Sequence, residues 1–104
     1  MSFQNVGEVI AERHLVRIDR EPNTAIVVVI GKPQAFSNSS DFYCPFQILG
    51  IGSEKVKHAL GADAIQALQL VMIMIGGDLW TLNKQCGGAI RSQDGSPNLG
   101  FPES

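Results

Sequence analysis

The residues of this sequence best suited to chemistry are its two cysteines and two histidines, Cys44, Cys86, His14 and His58. Cysteine and histidine are zinc ligands, but structural zinc sites pair them at short spacings, such as two cysteines with two residues between them. The sequence contains no such pair. We therefore predict no metal site and no bound cofactor.

A cysteine beside a histidine can also act as a nucleophile with its base. Strand alternation places Cys44 on the same face as Phe46 and Ile48, where a thiol usually behaves as a small hydrophobic side chain. We identify no cationic neighbour that would activate Cys86. The sequence thus predicts a structural role for Cys44, and we assign no catalytic residue.

Two polar segments resemble functional motifs but have simpler interpretations. In a strand, Glu12 and His14 face one way and Arg13 the other, which is typical of a solvated or ion-paired strand surface. The segment Gly50–Lys55 is glycine-rich like a phosphate-binding loop, but it lacks the spacing of a Walker motif and joins two strands. We interpret it as a hairpin turn.

A small-molecule pocket between helix and sheet is a further hypothesis. Its walls would be large side chains at the edge of the predicted core, namely Tyr43, Phe46, Met72, Met74 and Trp80. The five candidate binding residues are Tyr43, Phe46, His58, Met72 and Trp80. Ordinary packing of amphipathic side chains at a core edge explains Tyr43 and Trp80 as well. Both interpretations remain open from the residues alone.

The composition of the chain limits its architecture and partners. Its 104 residues suit a single domain, 1–104, and its net charge of −2, without a basic run, gives no footprint for nucleic acid. Residues 1–10 carry no basic export signal, and the apolar run 70–75 is far shorter than the ~20 residues of a membrane span. We expect a soluble cytoplasmic protein with reduced thiols and no membrane contact.

Turn signals predict an α+β fold with an antiparallel sheet of about four strands. The predicted segments are an N-terminal segment (1–7), antiparallel strands (8–60, with strands at 8–19, 24–30, 42–49 and 54–60), one long helix (63–84) packed on one face, and a tail (86–104). Within the third strand, Pro45 predicts a bulge or an unpaired edge position. The tail is expected to dock through Phe101 and can add a short strand at 89–92.

The helix has a clear start and a clear buried face. Asp63 and Gln66 have the spacing of a capping box. The apolar residues at helical spacing are Ala64, Leu68, Val71, Met72, Ile75, Leu79 and Leu82. Gly76 and Gly77 lower the intrinsic stability of the helix. This cost is acceptable where the helix passes close to another backbone.

The chain has more apolar surface than one helix on one sheet face can bury. The strand 24–30 is apolar on both faces, and the helix is apolar nearly all round between Leu70 and Ile75. The remaining surface must be covered by the tail through Phe101 or by a second copy of the chain. Homodimerisation is therefore our structural hypothesis.

Several segments together resemble a family of small bacterial proteins classed as a domain of unknown function. In chain order they are Glu12-Arg13-x-Leu15, Gly31-x-Pro33, Tyr43-Cys44-Pro45-Phe46-Gln47-Ile48, Gly50-Ile51-Gly52-Ser53-Glu54-Lys55, Gly61-x-Asp63-Ala64-x-Gln66-Ala67-Leu68-Gln69-Leu70 and Leu99-Gly100-Phe101-Pro102. The start of the helix is the most specific part. The resemblance implies a stand-alone bacterial cytoplasmic protein with an ordered tail, and it brings no activity, cofactor or catalytic residue.

Three function classes follow, in order of support. The leading one is a non-catalytic protein-interaction module, either a homodimer or an immunity-type protein that blocks a toxin enzyme. The alternative is a small-molecule-binding protein with a pocket between helix and sheet. An enzyme is least supported, because too few titratable groups can converge.

Overall fold

The computed structural model describes residues 5–102 as an antiparallel sheet with one helix packed against it. The elements are β1 (Val9–Arg17), β2 (Thr24–Gly31), β3 (Gln34–Ala35), β4 (Phe42–Leu49), β5 (Lys57–Gly61), α1 (Ala64–Gln85) and β6 (Ile90–Ser92). The predicted fold class is confirmed, including a short strand after the helix. The two-residue β3 was not predicted, because nothing in its composition distinguishes it from a loop.

The strands lie in the order β5–β4–β2–β1–β6, and all pairs are antiparallel. The short β3 pairs with the first residues of β4, on the side that β2 occupies further along. In β1 the register shifts between Val9 and Ala11, which marks a β-bulge. On the side of β1 away from β2, β6 pairs with the segment Leu15–Arg17.

Pro45 lies inside the sheet at a break in the neighbouring strand. Phe46–Leu49 pair with β2 and Phe42–Tyr43 pair with β3, so Pro45 faces the interval between these two strands. A proline there removes no ladder donor on that side, because regular pairing is already interrupted. The Cys44 thiol donates to the Gly31 carbonyl oxygen across the same interval, at 3.4 Å.

Helix α1 begins at a capping box. The Asp63 carboxylate accepts from the Gln66 backbone N–H at 2.8 Å, and the Gln66 side-chain oxygen accepts from the Ala62 N–H at 2.6 Å. The face that meets the sheet consists of Ala67, Val71, Ile75 and Leu79. These residues join the strand side chains in one core cluster.

The helix approaches β5 very closely at its first turn. A Cβ atom added to Gly61 would lie 2.4 Å from the Ala67 backbone nitrogen. Only glycine permits this contact, so α1 is held over β5 and β4 and does not lie over β1.

The C-terminal tail packs on the same sheet face as α1 and not on the opposite one. Phe101 is half-buried against the core cluster, and the Arg13 guanidinium lies 5.0 Å from the centre of its ring. Arg13 Nη1 also donates to the Leu99 carbonyl oxygen at 2.8 Å. A Cβ on Gly76 would lie 2.1 Å from the Pro102 carbonyl oxygen, so the tail touches the helix backbone.

The opposite face of the sheet is covered at its centre by the N-terminal segment. Val6 and Val29 are each 7% exposed, and Pro45 is buried. A Cβ on Gly31 would lie 2.0 Å from the Val6 carbonyl oxygen. We expected either the tail or a second copy to cover this face; within residues 5–102 the contact at its centre comes from Val6 instead.

The adjacent glycines of α1 give a matched test of the tail contact. We predict that Gly76→Ala lowers the free energy of unfolding by about 1–3 kcal/mol, because the added methyl group displaces the tail and exposes Phe101. Gly77→Ala should raise it by about 1 kcal/mol, because nothing lies within 4 Å of that position and alanine favours a helix. Urea denaturation of dilute protein measures both.

Chymotrypsin cleavage after Leu99 provides a second measurement, because the bond after Phe101 precedes Pro102 and resists this protease. It should be faster in the Gly76→Ala variant than in the Gly77→Ala variant. Equal stability and equal cleavage of the two variants would contradict the described tail contact.

Candidate functional site

The five candidate binding side chains lie in three different layers of the domain. Tyr43 and His58 are together on the sheet face away from α1, with ring centres 6.5 Å apart in an edge-on arrangement. Phe46 is only 1% exposed, inside the core. Met72 packs at the margin of that core, and Trp80 lies on the outer surface of α1. The structure therefore brings Tyr43 and His58 together but not all five residues.

The residues considered for acid–base or nucleophilic chemistry are also separated. His14 Nε2 and Glu12 Oε1 are 3.4 Å apart on the exposed outer face of β1, whereas Arg13 points to the helix side. Cys44 is completely buried, and burial raises the pKa of its thiol to about 11. Among residues 5–102, no group of three or more His, Cys, Asp or Glu side chains is placed to hold a metal ion.

Two exposed carboxylates have lowered pKa values for local reasons. A hydrogen bond from Arg17 lowers the pKa of Asp19 and raises that of Arg17. A hydrogen bond from the Ser92 hydroxyl lowers the pKa of Asp94. Both carboxylates lie in or beside turns, and each has its partner two residues away, so they stabilise turn geometry.

The first unassigned surface is an apolar stripe on the solvent side of α1. Successive positions in it are separated alternately by four and three residues. We call this set the outer stripe, and it consists of Gln66, Leu70, Ile73, Gly77, Trp80 and Lys84. Trp80 is 62% exposed and Ile73 is 46% exposed. The Lys84 ammonium lies 4.4 Å from the centre of the Trp80 ring.

The outer stripe also explains the high hydropathy of α1. By length and composition alone the helix is apolar enough to cross a membrane, with a mean hydropathy of 1.4. The inner face of the same helix packs on the sheet as the core of the domain. Only 22% of this apolar segment is buried within the domain, so the hydropathy reflects apolar side chains on the exposed side of the helix as well as on its buried face.

The second unassigned surface is an apolar groove between β1, α1 and the tail, which we call the β1–α1 groove. It has a cavity volume of about 280 Å³. Val28 and Ile30 are at its floor, Leu68 and Met72 form the helix wall, and Phe101 closes the tail end. The groove exists because α1 lies over β5 and β4 and leaves part of β1 uncovered.

The sequence indicated excess apolar surface on α1 between Leu70 and Ile75, but the arrangement of the outer stripe was not recognised, and the β1–α1 groove was missed. For the outer stripe the signal was present, because spacings of four and three residues between apolar positions are typical of a helix-pairing seam. For the β1–α1 groove no local signal exists, because Arg13 and Phe101 meet only after the tail returns to β1.

A comparison with protein families identifies one match. The family model described as "Domain of unknown function (DUF6968)" matches residues 11–103. No curated protein and no solved structure matches the chain. The match covers every strand and the helix, apart from the first two residues of β1.

The two cysteines should differ strongly in reactivity. At pH 8, a disulfide reagent such as DTNB should label Cys86 readily and Cys44 only on unfolding. A pKa of about 11 in place of 9.0 makes the Cys44 thiolate about a hundredfold rarer, and the side chain is also buried. Absorbance of the released thiol measures both rates, and comparable labelling of Cys44 in folded protein would contradict its burial.

The same thiol should make stability depend on pH. Because the folded pKa is raised, the contribution of Cys44 to stability is fully present below pH 9.0 and is lost as the pH rises toward about 11. Denaturation curves at pH 8 and pH 11 should therefore differ more for the wild type than for Cys44→Ala.

Proposed function

The chain belongs to the family described as Domain of unknown function (DUF6968), and we propose that it is a non-catalytic protein-interaction module that pairs with a second copy of itself. The proposed binding surface is the outer stripe of α1. The observation that carries this proposal is the exposure of large apolar side chains along a helix whose other side already packs on the sheet. Contiguous exposed apolar patches on folded domains mark interaction sites.

The spacing of the outer stripe supports helix pairing. Residues separated alternately by four and three positions follow a left-handed seam of the kind that packs helices side by side. Leu70, Ile73 and Trp80 occupy this seam, with Gly77 among them. Nothing lies within 4 Å of a Cβ at Gly77, so its surface is open to an approaching side chain.

The outer stripe is complementary to itself when two copies lie antiparallel. With a two-fold axis between positions 73 and 77, Ile73 of each copy meets Gly77 of the other. At the centre of the interface, the large side chain of Ile73 therefore opposes the small Gly77. Farther from the axis Leu70 meets Trp80, so two apolar side chains face each other there. Such pairing of one patch with itself is the defining property of a two-fold interface.

Charges at the ends of the outer stripe favour the same orientation. An antiparallel arrangement brings Lys84 of each copy to the first turn of the other helix, where Asp63 caps that turn. Opposite charges therefore meet at both ends of the interface. A parallel pair would instead place the two Lys84 ammonium groups together and the two Asp63 carboxylates together.

The size of the surface predicts a moderate affinity. Two such stripes bury on the order of 1,000 Å² in total, which is at the low end of specific protein interfaces. We therefore expect a dissociation constant of about 1–100 μM. Sedimentation equilibrium across this concentration range measures it directly.

Two isoleucines of equal exposure provide a matched test of the surface. Ile73, in the outer stripe, and Ile18, after β1, are each 46% exposed. We predict that Ile73→Glu weakens dimerisation at least about tenfold, because it places two carboxylates beside the two-fold axis. Ile18→Glu should leave the dissociation constant unchanged.

The single tryptophan gives an independent measurement in the unlabelled protein. Trp80 should shift its emission to shorter wavelength and resist acrylamide quenching as protein concentration rises, because the second copy covers its ring. The Ile73→Glu variant should not show this change. A monomer at all concentrations, or equal effects of both glutamate variants, would refute the proposal. Binding of monomers to lipid vesicles through α1 would also refute it.

A further inference from the structure

We propose that the β1–α1 groove binds a small monocarboxylate with an apolar chain, such as a free medium-chain fatty acid. This inference is independent of self-association, because the groove lies on the sheet side of α1 and shares no residue with the outer stripe. It rests on an apolar lining of suitable volume and on one guanidinium at its margin.

The interior of the groove is suited to hydrocarbon. Its floor is formed by β-branched side chains, Val28 and Ile30, and its walls are Leu68, Met72 and Phe101. These side chains come from the sheet, the helix and the tail, so the groove is a gap between three packed elements. Apolar gaps of this kind bind apolar ligands in preference to water.

The volume limits the length of the ligand. The groove holds about 280 Å³, close to the ~300 Å³ at the lower end of small-molecule sites, so it suits one short chain. A chain of about eight carbon atoms therefore fits with its head group at the margin. A complete phospholipid with two long chains is too large.

Arg13 supplies the charge complementarity. Its guanidinium lies over the Phe101 ring at 5.0 Å and donates through Nη1 to the Leu99 carbonyl oxygen, which fixes its position at the tail end of the groove. A guanidinium carries five N–H donors, so one hydrogen bond to Leu99 leaves donors for a carboxylate. Arginine and a carboxylate form short, charge-assisted hydrogen bonds.

The other charged residue of the lining does not oppose an anion inside the groove. Glu12 contributes to the lining, but its Oε1 lies 3.4 Å from His14 Nε2 on the other face of the sheet. The charge at the groove margin is therefore that of Arg13. An anionic head group is favoured there over a cationic or neutral one.

Titration of the ¹⁵N-labelled full chain with octanoate, followed by NMR, tests the proposal. The amide signals of Ala11, Arg13, Ile30 and Met72 should shift together and saturate, with a dissociation constant of about 0.1–1 mM, as expected for a ligand of this size. Octanol has the same chain without the charge and should bind at least about tenfold more weakly.

Variants separate the apolar and charged parts of the site. Ala11→Phe fills the groove and should abolish octanoate binding, whereas Ala25→Phe adds the same ring at an exposed β2 position outside the groove and should leave binding unchanged. Arg13→Gln should weaken octanoate at least tenfold without affecting octanol. Arg13→Lys should retain part of the preference for the carboxylate. Chymotrypsin cleavage after Leu99 reports whether either Arg13 variant has released the tail.

The outcomes distinguish this inference from the proposed self-association. The Ile73→Glu variant should bind octanoate like the wild type, because Ile73 is not part of the groove lining. Equal binding of octanol and octanoate, or shifts confined to residues outside the groove, would overturn the inference. Binding to anionic phospholipid vesicles without any binding of free octanoate would also overturn it.

Discussion

The position of α1 depends on one close contact, that between the Gly61 backbone and the first turn of the helix. Because a side chain at Gly61 would collide with the Ala67 nitrogen, only glycine lets the helix lie this close to β5. The inner face of α1 then covers β5 and β4, and the half of the sheet around β1 is left to the tail. This placement of α1 produces the β1–α1 groove. It also sets the packing position of Phe101 and the contact that Arg13 makes with its ring.

The same placement gives α1 two apolar faces with different roles. The inner residues Ala67, Val71, Ile75 and Leu79 follow a spacing of four and are buried. The outer stripe follows alternating spacings of four and three, and it remains exposed in the isolated chain. A helix that served only as the lid of the sheet would carry polar residues at these outer positions. The exposed apolar side chains at these positions are the basis of the proposed self-association.

The sequence predicted the features that depend on local chemistry. The capping box at Asp63 and the bounds of β4 are found in the structure. Pro45 was predicted at a bulge or an unpaired edge position, but it pairs with His58 of β5 and is unpaired only on the side of β2 and β3. Strand alternation places His58 and Leu60 on the same face of β5, but alternation alone does not show which face meets the helix. Lys57 pairs with Asp78 of α1 at 2.8 Å, so the face of His58 is the one turned away. The structure does not assemble the five candidate binding residues into one pocket, because Tyr43, Phe46 and Trp80 belong to different layers. Strand and helix periodicity alone did not show which layer each residue joins. The packing position of the tail depends on a contact between Arg13 and Leu99. These residues are 86 positions apart in the sequence, so no local sequence pattern predicts their contact.

The short length of β6 has a consequence for how the protein behaves at high concentration. Because β6 pairs with only Leu15–Arg17 in the described part of the chain, the first half of β1 forms a border of the sheet with backbone groups available to other strands. Such borders can seed fibrils. Here the bulge between Val9 and Ala11 bends the border, and the charged side chains of Glu12 and Arg13 follow directly. These features oppose edge-to-edge pairing of this border with a strand of another molecule.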